Sequence, residues 1–175
     1  MIKIATYNTG GFLKNNNKDI SYLTETADII NQHNLDIFII TEPHNISQQT
    51  NTIKDFFSNP KQYKLSNRTN VIATLPDNDG RKSKGIICII TNKFMKNFLG
   101  SIIIIPQRIM SITFMIGNRI TTIFAVYLSA NNNLEEYNYQ IATLTRAINI
   151  TAQLNHIIII AGDFNASICR DSPTP

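Results

Sequence analysis

The feature that most constrains this chain is a set of short, nearly unbroken aliphatic runs. They are IFII at 37–40, IICII at 86–90, IIII at 102–105, IFAV at 123–126 and IIII at 157–160. Isoleucine and valine are stiff at the first side-chain torsion and suit extended backbone. Runs of this length, bounded by Gly, Pro, Asn and Asp, read as strands. Because polar residues do not alternate with the apolar ones, both faces of such strands need cover. No run approaches the ~20 residues that cross a bilayer. They are therefore core strands of a globular domain, and no membrane partner is expected.

Helix-period sequence lies between the runs. Leu23, Ala27 and Ile30 recur at helical spacing over 21–34, and Tyr137, Ile141, Leu144 and Ile148 do so over 134–154. A further helix is predicted over 51–59, and an exposed loop over 74–85. Strands are predicted at 2–6, 36–41, 86–91, 100–106, 108–116, 119–128 and 156–163. Pro106-Gln107 and Gly117-Asn118 make plausible turns, so the four strands from 86 to 128 read as an antiparallel meander. Helix–strand units mixed with a meander imply an α/β sandwich with helix-covered sheets. At 175 residues and 43% hydrophobic content, one domain with its own core accounts for the chain.

The strands end in chemistry. The first delivers Asn8, the second Glu42, the strand at 119–128 delivers Tyr127, and IIIIAGDFNAS delivers Asp163 and Asn165. Strand ends gathered at one sheet edge are where α/β folds place ligands. Two carboxylates, amides and a phenol form a hard-oxygen set suited to Mg²⁺ rather than zinc. Taken singly, each is more often a cap or turn residue; it is their joint occurrence that points to a site.

IATYNTGGF, DIFIITEPH, TTIFAVYLSAN and IIIIAGDFNAS occur in the order and context of the endonuclease/exonuclease/phosphatase superfamily, which the chain resembles over essentially its whole length. KGIICIITNKF and IPQRIMSITFMIGNRITTIFAVY look most like the endonuclease domains of non-LTR retrotransposons. The resemblance implies a four-layered α/β sandwich of DNase I-like type, two mainly antiparallel sheets flanked by helices. It implies DNA, bound through its phosphate backbone, as partner, and Mg²⁺ (or Mn²⁺) as cofactor. Glu42 would be the principal metal ligand, with Asn8 in the same shell or on the phosphate. Asp163 would deprotonate the attacking water, Asn165 would hold Asp163 and the phosphate in register, and Tyr127 would hydrogen-bond the phosphate or the attacking oxygen. In a full-length element the domain would be fused to a reverse transcriptase.

The chain departs from the family at Tyr7, where Trp is usual, at Thr41 for Gln, and at Leu128-Ser129 for Ala-Pro. Family members also carry a later Ser-Asp-His motif, and no histidine follows Asp163 here. The chain is therefore expected to be truncated, with its second half incomplete. His156 and His33 precede their strands, and seven residues at ~3.3 Å each put His156 roughly 20 Å from Asp163. Only His44 stands at the right end, as a tentative substitute. A net charge of +4 mildly favours an anionic partner such as nucleic acid. Cys88 lies in an apolar run and Cys169 in a polar tail, which is no disulfide framework. The N-terminus has no apolar signal region, so an intracellular protein is expected. The alternatives are a binding module of the same fold that does not cut, and a phosphatase of the same superfamily.

Overall fold

A computed structural model describes residues 2–10, 21–43, 46–59, 69–73, 85–129 and 133–166. Its elements are β1 (Ile4–Asn8), α1 (Ser21–His33), β2 (Ile37–Thr41), α2 (Ile46–Ser58), β3 (Thr69–Ala73), β4 (Ile86–Thr91), α3 (Asn92–Met95), β5 (Phe98–Ile105), β6 (Ile109–Ile116), β7 (Arg119–Tyr127), α4 (Leu134–Gln153) and β8 (Ile157–Asp163). The strands form two four-stranded sheets, in the orders β1-β2-β4-β3 and β5-β6-β7-β8. Each sheet is mixed: β1 and β2 pair in parallel, as do β7 and β8, and the remaining pairings are antiparallel.

Side-chain alternation sorts the aliphatic runs into layers. Ile37 and Ile39 of β2, with Ile86, Cys88 and Ile90 of β4, face the other sheet. There they pack on Met110, Ile112, Phe114, Ile123 and Ala125. The intervening Phe38, Ile40, Ile87 and Ile89 face outward onto Leu23, Ala27 and Ile30 of α1 and Ile53, Phe56 and Phe57 of α2. On the far side Phe124, Val126 and Leu128 pack on Leu144 of α4. Two helices, two sheets and a helix make the expected four layers. Each buried Ile or Phe contributes about 1.5–3 kcal/mol, so this double-sided burial is the main stabilising term. At its start α4 is capped by Asn133, whose side chain accepts the backbone N–H of Glu136 at 3.2 Å.

Three expectations change. The strand at 86–91 does not join the meander, which is β5-β6-β7 only; β4 pairs with β2 and β3 in the first sheet. Between β4 and β5 the short helix α3 intervenes, and Phe94 of that helix packs at 4.7 Å on Phe114, a contact that moves the chain from one sheet to the other. β3 was not anticipated: TNVIA is short and flanked by polar sequence. The first strand runs two residues later than predicted, because parallel pairing with β2 continues to Asn8 opposite Thr41.

The two parallel pairs position the site. Both end at the same edge, with Asn8 opposite Thr41 and Tyr127 opposite Asp163. Gly162 (φ 143°) allows β8 to close on β7 there. A Cβ at this residue would lie 1.9 Å from the Val126 carbonyl oxygen.

Candidate active site

At that edge the sheets are joined by a side-chain bond. Asn8 Nδ2 donates to Asp163 Oδ2 at 2.5 Å, linking the end of β1 to the end of β8. The other oxygen, Asp163 Oδ1, accepts the backbone N–H of Asn165 at 2.9 Å. Asn165 takes a left-handed backbone (φ 46°) that turns its amide back toward Asp163, and its side chain donates to the Leu128 carbonyl at 2.7 Å. Asn thus supports Asp163 through its backbone, while its side chain fastens the turn to the end of β7. Asn8 Oδ1 in turn accepts the Gly10 N–H at 2.8 Å. Both oxygens of Asp163 are therefore oriented by donors, the condition for a carboxylate of fixed direction.

Glu42, just past β2, also has a left-handed backbone (φ 56°). Such a conformation costs a non-glycine residue on the order of 1–3 kcal/mol. Its N–H donates to the Gly85 carbonyl at 3.1 Å, and its carbonyl accepts the Thr9 hydroxyl at 2.8 Å. Tyr127 senses both carboxylates. Burial first, and then the charge of Glu42, push its phenol above the usual tyrosine range, Arg108 opposes them, and Asp163 adds to the rise. The phenol is therefore protonated at neutral pH and available as a donor. Asn8, Asp163 and Asn165, with Thr6, Thr41 and Phe164, line an open cleft of about 660 Å³.

All five residues expected from the strand ends thus stand at one edge, and His44 lies outside the described residues, as do most of the loop at 74–85 and Cys169. His156 meets Thr122 Oγ1 at 2.9 Å, near the opposite end of β8, and the His33 carbonyl accepts from Lys3, ahead of β1. Sequence reasoning passed over Arg108. It is buried, its guanidinium sits 4.7 Å over the Tyr127 ring, and Nη1 donates to the Tyr127 carbonyl at 3.3 Å. Nη2 pairs with Glu136 of α4 at 3.4 Å. Arg108 opens the strand predicted at 108–116, and nothing local marks an arginine there as buried. Gln140 ties the same helix to the segment after β7, donating to Ser129 Oγ at 2.9 Å and accepting the Ser129 N–H at 2.8 Å.

Comparison with known proteins decides the family. The model of the Endonuclease/Exonuclease/phosphatase family matches residues 5–173. The chain belongs to that family. Among solved structures, TDP2 from C. elegans matches at 17% identity and TM-score 0.64, over 99% of this chain and 51% of that one. D. rerio TDP2 complexed with a single-strand DNA product matches at 18% and 0.66, over 95% and 61%. The human Nocturnin catalytic domain with a bound sulfate anion matches at 15% and 0.61, over 96% and 65%. At these identities the likeness is one of fold, and the chain spans about half the length of the first structure. No curated protein matches the chain in sequence.

The Endonuclease/Exonuclease/phosphatase family is generally divalent-metal dependent, and the donors here fit such an ion. Among the described residues no three His, Cys, Asp or Glu side chains form a closed cage. Mg²⁺ does not need one, since it binds through one or two carboxylates and keeps several waters. Glu42 supplies a carboxylate, and Asn8 Oδ1 keeps a second lone pair beyond its bond from Gly10. The Thr41 hydroxyl, lining the cleft, is buried without a hydrogen-bond partner. It would offer a further hard oxygen to such an ion or to one of its waters. No described helix is long and apolar enough to cross a membrane.

Proposed function

We propose that this chain is the core of a Mg²⁺-dependent endonuclease that hydrolyses DNA phosphodiester bonds, of the kind with which non-LTR retrotransposons nick their target sites. The observation that carries the reading is the Asp163 carboxylate, oriented at both oxygens and tethered to Asn8 across the two sheets. In this reading Asp163 accepts the proton of the attacking water. Tyr127, held protonated, donates to a phosphate oxygen, where negative charge grows in the transition state. Glu42 and Asn8 hold the ion. When bound, Mg²⁺ supplies Lewis acidity to the phosphate and the leaving oxygen. Asn165 keeps Asp163 and the turn beneath the phosphate in place.

The retroelement assignment is supported by the short turns of the β5-β6-β7 meander and by the sequence resemblance of that block. It carries with it a fusion to a reverse transcriptase and a cytoplasmic or nuclear location. Within the residues given, His44 is the candidate for the histidine role.

The test is nicking of supercoiled plasmid in Mg²⁺ by the chain and by its Asp163→Ala and Glu42→Ala variants. Each variant should be slower by roughly 10²–10⁴-fold. No nicking by the chain, or equal nicking by the variants, refutes the reading. DNA binding that falls steeply with salt but without nicking would instead identify a binding module. Salt-insensitive phosphate release from a small phosphoester would identify a phosphatase.

A further inference from the structure

Local sequence works against the conformation of Glu42. The residue is not glycine, yet its φ is 56°, and Pro43 follows it. A residue before proline is pushed toward extended backbone, and a left-handed one is disfavoured further. Something non-local must hold it, and two hydrogen bonds do. On one side the Glu42 N–H is fixed by the Gly85 carbonyl at 3.1 Å. On the other the Glu42 carbonyl accepts the Thr9 hydroxyl at 2.8 Å. Thr9 is itself seated, its N–H donating to the Thr41 carbonyl at 3.1 Å and its hydroxyl, nearer to Glu42, also reaching that carbonyl at 3.2 Å.

Thr9 also directly follows Asn8, the residue that grips Asp163. One side chain therefore ties the tip of β2 to the tip of β1 at the Glu42 peptide. We infer that Thr9 is a positioning residue for the metal-binding carboxylate: its hydroxyl holds Glu42 in a left-handed turn next to Thr41, the residue paired with Asn8. The inference rests on the reading of Glu42 as a metal ligand. A threonine that merely finished a strand would matter to folding and not to the ion. The outer partners of a metal ligand, by contrast, typically change affinity by 10–100-fold.

The experiment is calorimetric titration of the full chain with Mg²⁺, for wild type, Thr9→Val, Thr9→Ala and Thr9→Ser. Valine keeps the shape and loses the hydroxyl, alanine loses it without seating a new methyl, and serine retains it. Val and Ala should weaken Mg²⁺ binding roughly 10–100-fold, while Ser restores wild-type affinity. Hydrogen exchange of the Glu42 amide, read without metal, should quicken in Val and Ala and not in Ser. Wild-type affinity in Thr9→Val or Thr9→Ala, or an equal loss in all three variants, overturns the inference while leaving the metal reading intact. Absence of Mg²⁺ binding by the wild type overturns the metal reading of Glu42, and the inference with it.

Discussion

Gly162→Ala places a methyl group where there is no room for one. The added Cβ would stand 1.9 Å from the Val126 carbonyl oxygen and 2.8 Å from its nitrogen. Both are backbone atoms of β7, locked by pairing with β6 on one side and β8 on the other. No rotamer change relieves the overlap, so β8 must shift away from β7. The backbone adds a second cost, since φ 143° is a region that L residues avoid. Overpacking costs about 1–3 kcal/mol and such backbone strain about 1–3 kcal/mol. A loss of about 3 kcal/mol, at the lower end of their sum, shifts the midpoint of a domain this size by roughly 6–12 °C. Thermal unfolding followed by far-ultraviolet circular dichroism measures it, with urea unfolding as a check on the free energy. The shift should come with loss of any activity, because Gly162 precedes Asp163. A midpoint within 2 °C of wild type (~1 kcal/mol or less) would refute the close approach of β8 to β7.

Tyr127 and Cys88 give two further tests. The folded phenol of Tyr127 titrates above its unfolded value, so folding favours the protonated form. That contribution is complete below the unfolded tyrosine pKa of about 10 and is lost as pH rises through the folded one. Tyr127→Phe should therefore flatten the alkaline fall in stability above about pH 10, seen in urea midpoints; an unchanged fall would show that Tyr127 is not the group responsible. Burial pushes the Cys88 thiol far above its ordinary value, and its sulfur rests 3.8 Å from Met110 Sδ between the sheets. In a Cys169→Ser background it should resist iodoacetamide until the chain unfolds, by mass spectrometry; rapid labelling of the native chain would refute a closed inter-sheet core.

What could be read from the sequence follows the range of the interactions. Aliphatic runs and helical spacing are local, and they located every strand but one, with all the large helices. β3 escaped because Thr69–Ala73 is brief and polar on both sides. The sheet that claims β4 cannot be read from IICIIT, since Ile86–Thr91 is equally apolar toward either partner; its place is fixed by pairing with β2 and β3, both of which lie earlier in the chain. The candidate site residues were legible as strand tips. Their linkage was not, because Asn8 and Asp163 are separated by 155 positions. Arg108 was missed because burial of a charge depends on Tyr127 and Glu136, which arrive later in the chain.

The bond between Asn8 and Asp163 also bears on when this site comes into being. Its two halves lie 155 positions apart, and a chain emerging from the ribosome at ~5–20 residues per second completes the first sheet's strands well before β8 appears. Until β8 seats beside β7, Asn8 has no carboxylate to hold and the first sheet carries only half of an aperture. The geometry at this edge is thereby completed last, and it reports the docking of one sheet on the other.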